Sequence, residues 1–172
     1  AQIPVLLHRD FPDQARIKRV TLYRRRIGNS YHWHVCFSLA SPSFPAKDYA
    51  GFVAELKKNP GKYSYSSSGT GGIGHLQTEL WKSLTGVFIT HIPYRGTGPQ
   101  LTDLLAGRTQ ASSAGMPALG AHIRSGKLRA IAVGTSQRIS TLQDVPTVAE
   151  LGFKNFETSQ WYGILAPAGT PA

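Results

Sequence analysis

From Ala46 onward, segments whose hydrophobic positions have helical spacing are followed by segments with strand-like spacing, and the two kinds succeed each other along the chain. Between Ala46 and Lys58 the apolar side chains share one helical face, and Asn59-Pro60-Gly61 ends that helix. A second helix places Leu76, Leu80 and Leu84 on its apolar face, which we expect to pack on the core. The pattern predicts helices over 46–58, 73–85, 100–106 and 117–125, a helical turn over 148–151, and strands over 62–66, 87–92, 109–113, 128–133 and 161–165.

Strands that alternate with helices predict an α/β fold with a mostly parallel sheet flanked by helices. Residues 1–45 give weaker signals, with strand candidates only at Val20–Tyr23 and Tyr31–Leu39. We therefore divide the chain into a crossover or irregular segment, 1–45, and an α/β lobe, 46–172. In such a sheet, ligands bind beyond the carboxyl ends of the strands, where loops lead into helices.

The loop after the first of these strands is rich in glycine and hydroxyl groups. It contains Ser67, Ser68, Gly69, Thr70 and Gly71, immediately before a helix. Free backbone N–H groups and the helix dipole favour an anion at such a position, and glycine lets the anion approach closely. The loop therefore predicts a site for a carboxylate or a phosphate. A capped turn with no ligand is the alternative.

A second loop follows the next strand and adds a phenol, a cation and bare backbone to the same rim. Its residues are Tyr94, Arg95 and Gly96. A guanidinium group can hold a carboxylate through two parallel hydrogen bonds. The alternative for Arg95 is a surface salt bridge.

Two other functions remain open on this pattern. Gly69-x-Gly71-x-x-Gly74 satisfies the dinucleotide fingerprint, so an NADP-binding oxidoreductase domain is one alternative. The strand before it is polar, however, and Arg95 stands near the position where that fingerprint expects an acid. A phosphate-binding P-loop is excluded, because no Lys-Ser/Thr pair follows Gly74.

The net charge of +10 makes a basic nucleic-acid-binding module the other alternative. Much of the excess lies in an arginine cluster around Arg24, Arg25 and Arg26, without the interleaved glycines or aromatic residues of RNA-binding segments. A solvated basic stretch is therefore the preferred interpretation. The single cysteine, Cys36, excludes an internal disulfide, and no apolar run has the roughly 18 residues of a membrane span.

Catalytic and metal-binding patterns are weak, so we expect no enzyme activity, no cofactor and no metal. There is no Gly-x-Ser-x-Gly motif, and we interpret His75 as a packing residue at the helix start. His32, His34 and Cys36 share a strand face that could hold zinc, but no fourth ligand is suitably spaced.

The chain resembles the substrate-binding receptors of tripartite tricarboxylate transporters, the Bug family. The resemblance is carried, in this order, by Asn59-Pro-Gly-Lys62, Ser67-Ser-Gly69, His75-Leu76, His91-Ile-Pro-Tyr-Arg-Gly96, Leu101-Thr-Asp-Leu-Leu105, Gly126-Lys-Leu-Arg-Ala-Ile-Ala-Val133, Asp144-Val-Pro-Thr147 and Trp161-Tyr-Gly-Ile-Leu-Ala-Pro-Ala-Gly-Thr-Pro171.

This resemblance implies a two-lobed, type II periplasmic binding protein that is non-catalytic and monomeric. It would deliver a small carboxylated solute to membrane transporter subunits, and it would not bind nucleic acid. The match covers mainly the second lobe, which ends in a return strand toward the first. By this resemblance Ser67, Ser68, Gly69 and Thr70 form one wall of the site, and the loop 94–96 forms another. Ser112-Ser-Ala-Gly115 stands where the family often has an acid or an amide.

Overall fold

A computed structural model describes residues 33–41 and 44–160 of the chain. In this part, six strands and four helices follow one another. The strands are β1 (Trp33–Ala40), β2 (Ser64–Ser67), β3 (Thr90–Pro93), β4 (Ala111–Gly115), β5 (Arg129–Val133) and β6 (Ser159–Gln160). The helices are α1 (Tyr49–Lys58), α2 (Ile73–Thr85), α3 (Thr97–Leu105) and α4 (Met116–Arg124).

The helices predicted from the sequence are all present. Helix α2 has the predicted bounds, because Gly86 adopts the left-handed conformation (φ 68°) and ends it. Helix α1 begins later than predicted, because Asp48 is its N-cap and accepts a hydrogen bond from the Gly51 N–H at 2.8 Å. The predicted turn at 148–151 forms, with the Leu151 N–H bonded to the Thr147 carbonyl. The strand predicted at 161–165 lies outside the described residues.

The sheet has the strand order β3-β2-β4-β1-β5, and β6 pairs with β1. Strand β2 runs parallel to both β3 and β4, as predicted. Strand β1 is antiparallel to its neighbours β4 and β5, and it comes from the segment in which we expected a crossover or irregular chain. The three parallel strands therefore present their carboxyl ends at one edge of the sheet.

Two buried hydrophobic clusters hold the helices to the sheet. The first contains Phe52 of α1, Trp81 of α2 and Tyr65 of β2. The second contains Leu104 of α3 and Leu119 of α4. The parallel strands are thus flanked by two pairs of helices, each with its own core.

The predicted core-facing side of α2 is wrong. Leu76, Leu80 and Leu84 are 55%, 47% and 49% exposed, whereas Trp81 is 1% exposed. The reason lies at the start of the helix, where Gly74 packs against the backbone of β4. A Cβ on Gly74 would lie 2.6 Å from the Ser113 carbonyl oxygen. This close approach turns the face that carries Gly74 and Trp81 toward the sheet and the leucines outward.

Candidate functional site

Three helices begin at the carboxyl edge of the parallel strands, and each begins after a glycine. The N-caps of α2, α3 and α4 are Gly72, Gly96 and Gly115, and none of them is capped by a side-chain hydrogen bond. Helix α1, in contrast, is capped by Asp48. The first-turn N–H groups at this edge therefore have no side-chain acceptor, and the helix dipoles add positive potential there.

The two predicted loops lie side by side at this edge. We call residues 68–72 the glycine loop. The Tyr94 N–H donates to the Ser67 carbonyl at 2.9 Å, and the Gly96 N–H donates to the Ser68 carbonyl at 3.1 Å. These bonds extend the pairing of β2 with β3 past the ends of the strands. The structure therefore brings together all eight residues that the sequence suggested: Ser67, Ser68, Gly69, Thr70, Gly71, Tyr94, Arg95 and Gly96.

The glycine loop turns with backbone angles that other residues rarely adopt. Gly71 has a φ of 78°, and Gly69 has a φ of 152°. No atom lies within 4 Å of the place that a Cβ on Gly71 would occupy. Ser68, Thr70 and Gly71 are exposed, so the glycine loop is accessible from solvent.

Ser67 is placed differently from its neighbours in the loop. Its side chain is buried, and its hydroxyl lies 2.7 Å from His91 Nε2. The same oxygen accepts from the Gly69 N–H at 3.3 Å and lies 3.1 Å from the Gly69 carbonyl. The hydroxyl of Ser67 therefore fixes the start of the glycine loop through hydrogen bonds. Direct contact between its hydroxyl and a ligand stays a prediction.

Two histidines stack beneath the glycine loop. The His75 and His91 rings are parallel within 14°, with centroids 4.2 Å apart, and Tyr65 stacks on the other side of His91. His75 Nδ1 accepts a hydrogen bond from the Gly71 N–H at 3.1 Å. Burial, with a further contribution from His75, lowers the pKa of His91 below its ordinary value. His91 was not among the predicted site residues, although the motif His91-Ile-Pro-Tyr-Arg-Gly96, which carries part of the family resemblance, begins with it.

In the second loop, the phenol of Tyr94 is already engaged. It donates to Asp103 Oδ2 at 2.8 Å, and Asp103 also pairs with Arg108 at 2.9 Å. Burial and the bond to the carboxylate raise the pKa of Tyr94. Arg95 is exposed and has no acidic partner among the described residues, so the surface salt bridge considered for it does not form there.

A buried amide network supports the edge from below. Gln100 Nε2, in the first turn of α3, donates to the Ser66 carbonyl, to Ser112 Oγ and to the Ser113 carbonyl at 3.1, 2.7 and 3.0 Å. Gln77 of α2 donates to Ser113 Oγ at 2.8 Å. Ser112 and Ser113 thus bind two glutamines, Gln100 and Gln77, that sequence reasoning missed.

Two further findings concern what the described residues do not contain. They include no cluster of three or more histidine, cysteine or carboxylate side chains that could hold a metal ion. Within the same ranges, no helix has the length and apolar character needed to cross a membrane. Of the three residues considered and rejected as zinc ligands, His32 lies outside the described residues, and so do the side chains of His34 and Cys36 on β1.

The fold of this chain is that of a lobe of a periplasmic binding protein, since it matches the structure of periplasmic binding protein BugD with a TM-score of 0.74 at 35% identity. The chain matches the family described as "Tripartite tricarboxylate transporter family receptor" over residues 32–172, and it belongs to that family. The family consists of non-catalytic solute receptors. The chain is therefore not an enzyme, and the alternative of an NADP-dependent oxidoreductase is set aside.

Individual relatives agree with this assignment. Protein BugT of Bordetella pertussis is 40% identical over 132 residues, which cover 77% of this chain and 40% of BugT. A structure described as a periplasmic transporter is 46% identical, with a TM-score of 0.74, over 81% of this chain and 47% of that one. Rpa4515 of R. palustris, solved with adipate, is 36% identical, with a TM-score of 0.75, and the same shares of the two chains are covered. The chain spans less than half the length of these relatives.

Proposed function

We propose that this chain is the lobe of a periplasmic receptor that holds one carboxylate group of a small dicarboxylic acid. The observation that carries the proposal is the set of three glycine-capped helix N-termini at one edge, at Gly72, Gly96 and Gly115. Backbone N–H groups at such termini bind anions without needing a charged side chain. The adipate in Rpa4515 supports a dicarboxylate as the ligand class.

Each exposed group has a proposed role in the site. The first-turn N–H groups of α2 and α3, after Gly72 and Gly96, donate to the carboxylate, and the hydroxyls of Ser68 and Thr70 add hydrogen bonds. Gly69, Gly71 and Gly96 shape the two loops, and their own N–H groups are bonded within the protein. The exposed guanidinium of Arg95 attracts the anion. The phenol of Tyr94 is used by Asp103, so Tyr94 contributes through its backbone and by fixing the loop.

The rest of the receptor completes the site in this proposal. A first lobe would supply the opposite wall and the second carboxylate contact, and the two lobes would close on the solute. Because β1 pairs with β4 and β5, the ligand-binding lobe would include Trp33–Ala40 as well as residues 46–172, and the crossover to the first lobe would lie within the rest of residues 1–45. The loaded receptor, a monomer, would then deliver its solute to the membrane subunits of the transporter.

A titration followed by NMR tests the proposed carboxylate site. Adipate added to the ¹⁵N-labelled chain should shift the amide signals of the glycine loop and of the first turns of α2 and α3, because the anion binds beside the loop and the first-turn N–H groups become its donors. Hexane-1,6-diol has the same length without charge and should leave those signals unchanged. Adipate shifts spread over the surface, or confined to other residues, would refute the site.

The double variant Ser68→Ala/Arg95→Ala should lose most of this adipate response and keep the fold. We expect at least about a tenfold weaker affinity, since charged hydrogen bonds contribute roughly 1.5–3 kcal/mol each. The matched control is Lys58→Ala/Ser83→Ala, which removes one charge and one exposed hydroxyl elsewhere. Undiminished affinity in the first variant would remove Ser68 and Arg95 from the site.

A further inference from the structure

His75 occupies the third position of helix α2, where many helices carry a glutamate. In the common capping box, that glutamate reaches back and accepts a hydrogen bond from the backbone N–H at the helix start. Here His75 Nδ1 does so, accepting from the N–H of Gly71, the residue before the N-cap, at 3.1 Å. Because a backbone N–H can only donate, Nδ1 must be unprotonated in this arrangement.

The ring of His75 is held in place from one side. It stacks on His91 at 4.2 Å, and His91 is bound in turn by the buried hydroxyl of Ser67 at 2.7 Å. The nearest carboxylate on α2, Glu79, is paired with Lys82 at 2.8 Å and accepts from Tyr65. No unpaired negative charge from these neighbours therefore reaches the start of α2.

We propose that His75 is an uncharged positioning residue that caps the glycine loop. It orders the start of α2 for a carboxylate ligand without adding a protein carboxylate that would repel that ligand. This inference rests on the proposed carboxylate site. A glutamate at position 75 would make the same backbone bond and would interact better with the helix dipole. It would also place a negative charge beside the bound anion.

The test compares His75→Gln with His75→Glu, two side chains of equal size that both accept a hydrogen bond and differ in charge. We expect His75→Gln to bind adipate within about twofold of the wild type. His75→Glu should bind about fivefold more weakly or worse, by like-charge repulsion. Its melting temperature should equal or exceed that of His75→Gln, because glutamate at this helix position is stabilising.

This separation of affinity from stability is what a purely structural role would not produce. Equal adipate affinity for the two variants would overturn the inference, and so would an affinity loss that follows the melting temperature. If the wild type shows no response to adipate, the proposed carboxylate site fails, and the charge argument fails with it.

The capping bond itself has a readout that needs no ligand. The ¹⁵N shift of His75 Nδ1 near pH 7.5 should be that of an unprotonated ring nitrogen. The Gly71 amide should exchange with solvent at least about fivefold faster in His75→Ala than in His75→Gln. A protonated Nδ1, or equal exchange in the two variants, would refute the capping role even where adipate binds normally.

Discussion

At the scale of single residues, the candidate site depends on glycines, which have no Cβ atom. Gly71 turns the loop at a φ of 78°, and Gly74 lets α2 approach β4 so closely that a Cβ would meet a carbonyl at 2.6 Å. Gly72 and Gly96 start helices without competing for the N–H groups. Each glycine thus removes an atom that would either block the backbone or occupy the donors that an anion needs.

Gly71→Ala should lower the free energy of unfolding by about 1 kcal/mol, because the left-handed backbone strains any residue with a Cβ. The side chain itself meets nothing within 4 Å, so the cost is conformational. Adipate affinity should fall as well, since the strain is relieved by moving the loop.

Gly86→Ala is the matched control for this variant. Gly86 has a similar φ of 68°, also with open space around it, but it lies at the other end of α2. Chemical denaturation and an adipate titration of both variants separate the two effects. Equal affinity losses would show that the site depends on general stability and not on the Gly71 turn.

At the scale of elements, α2 decides how the site and the core are joined. Its buried face carries Gly74, Gln77, Thr78 and Trp81, of which only Trp81 is a large apolar side chain. Gln77 donates to Ser113 Oγ of β4 and accepts from the Thr158 hydroxyl, whereas Thr78 donates to the Gly74 carbonyl of its own helix. The helix is therefore oriented by close packing and hydrogen bonds at its start, and the burial of Trp81 further along it stabilises that orientation.

Trp81→Ala should lower the free energy of unfolding by about 3–5 kcal/mol, because it leaves a large cavity in the first core cluster. Leu80→Gln changes the residue immediately before Trp81. It should lower the free energy of unfolding by less than about 1 kcal/mol, because Leu80 is 47% exposed. Urea unfolding of both variants measures the difference. Comparable losses would mean that the leucine face of α2 is buried after all.

At the scale of the whole molecule, polar contacts under the site tie sequence-distant segments together. Ser66 and Ser67 of β2, Gln100 of α3 and the serines of β4 form one buried set beneath the helix N-termini. The partly buried His91 contacts this set through Ser67, and burial lowers the pKa of His91. The stability of the fold is therefore linked to the protonation of a residue next to the proposed site.

We expect the melting temperature to fall as the pH drops below about 6.5, the ordinary pKa of histidine. Since the pKa of His91 is lower in the folded state, the unfolded chain takes up its proton first as the pH falls. The contribution of His91 is therefore complete above the unfolded pKa and is lost on approaching the folded one. In His91→Gln the fall between pH 7.5 and 5.5 should be smaller; an equal fall would place its origin elsewhere.

The sequence alone determined much of this molecule, because its signals are local. Helical periodicity and terminal glycines predicted the four helices, and strand-helix alternation predicted the parallel strands β2, β3 and β4. Since parallel strands end at a common edge, the same reasoning placed the loops at Ser68 and Arg95 together. The resemblance carried by those motifs predicted the family, which the comparisons confirm.

Only the tertiary structure decided which faces and partners those elements use. The hydrophobic pattern predicted that the α2 leucines face the core. In the structure they face solvent, because Gly74 packs closely against Ser113. Several contacts join residues that lie far apart in sequence: the antiparallel pairing of β1, the contact of Ser67 with His91, and the hydrogen bonds of Gln100. Such contacts depend on packing distances between elements, and a periodic pattern within one element does not contain those distances.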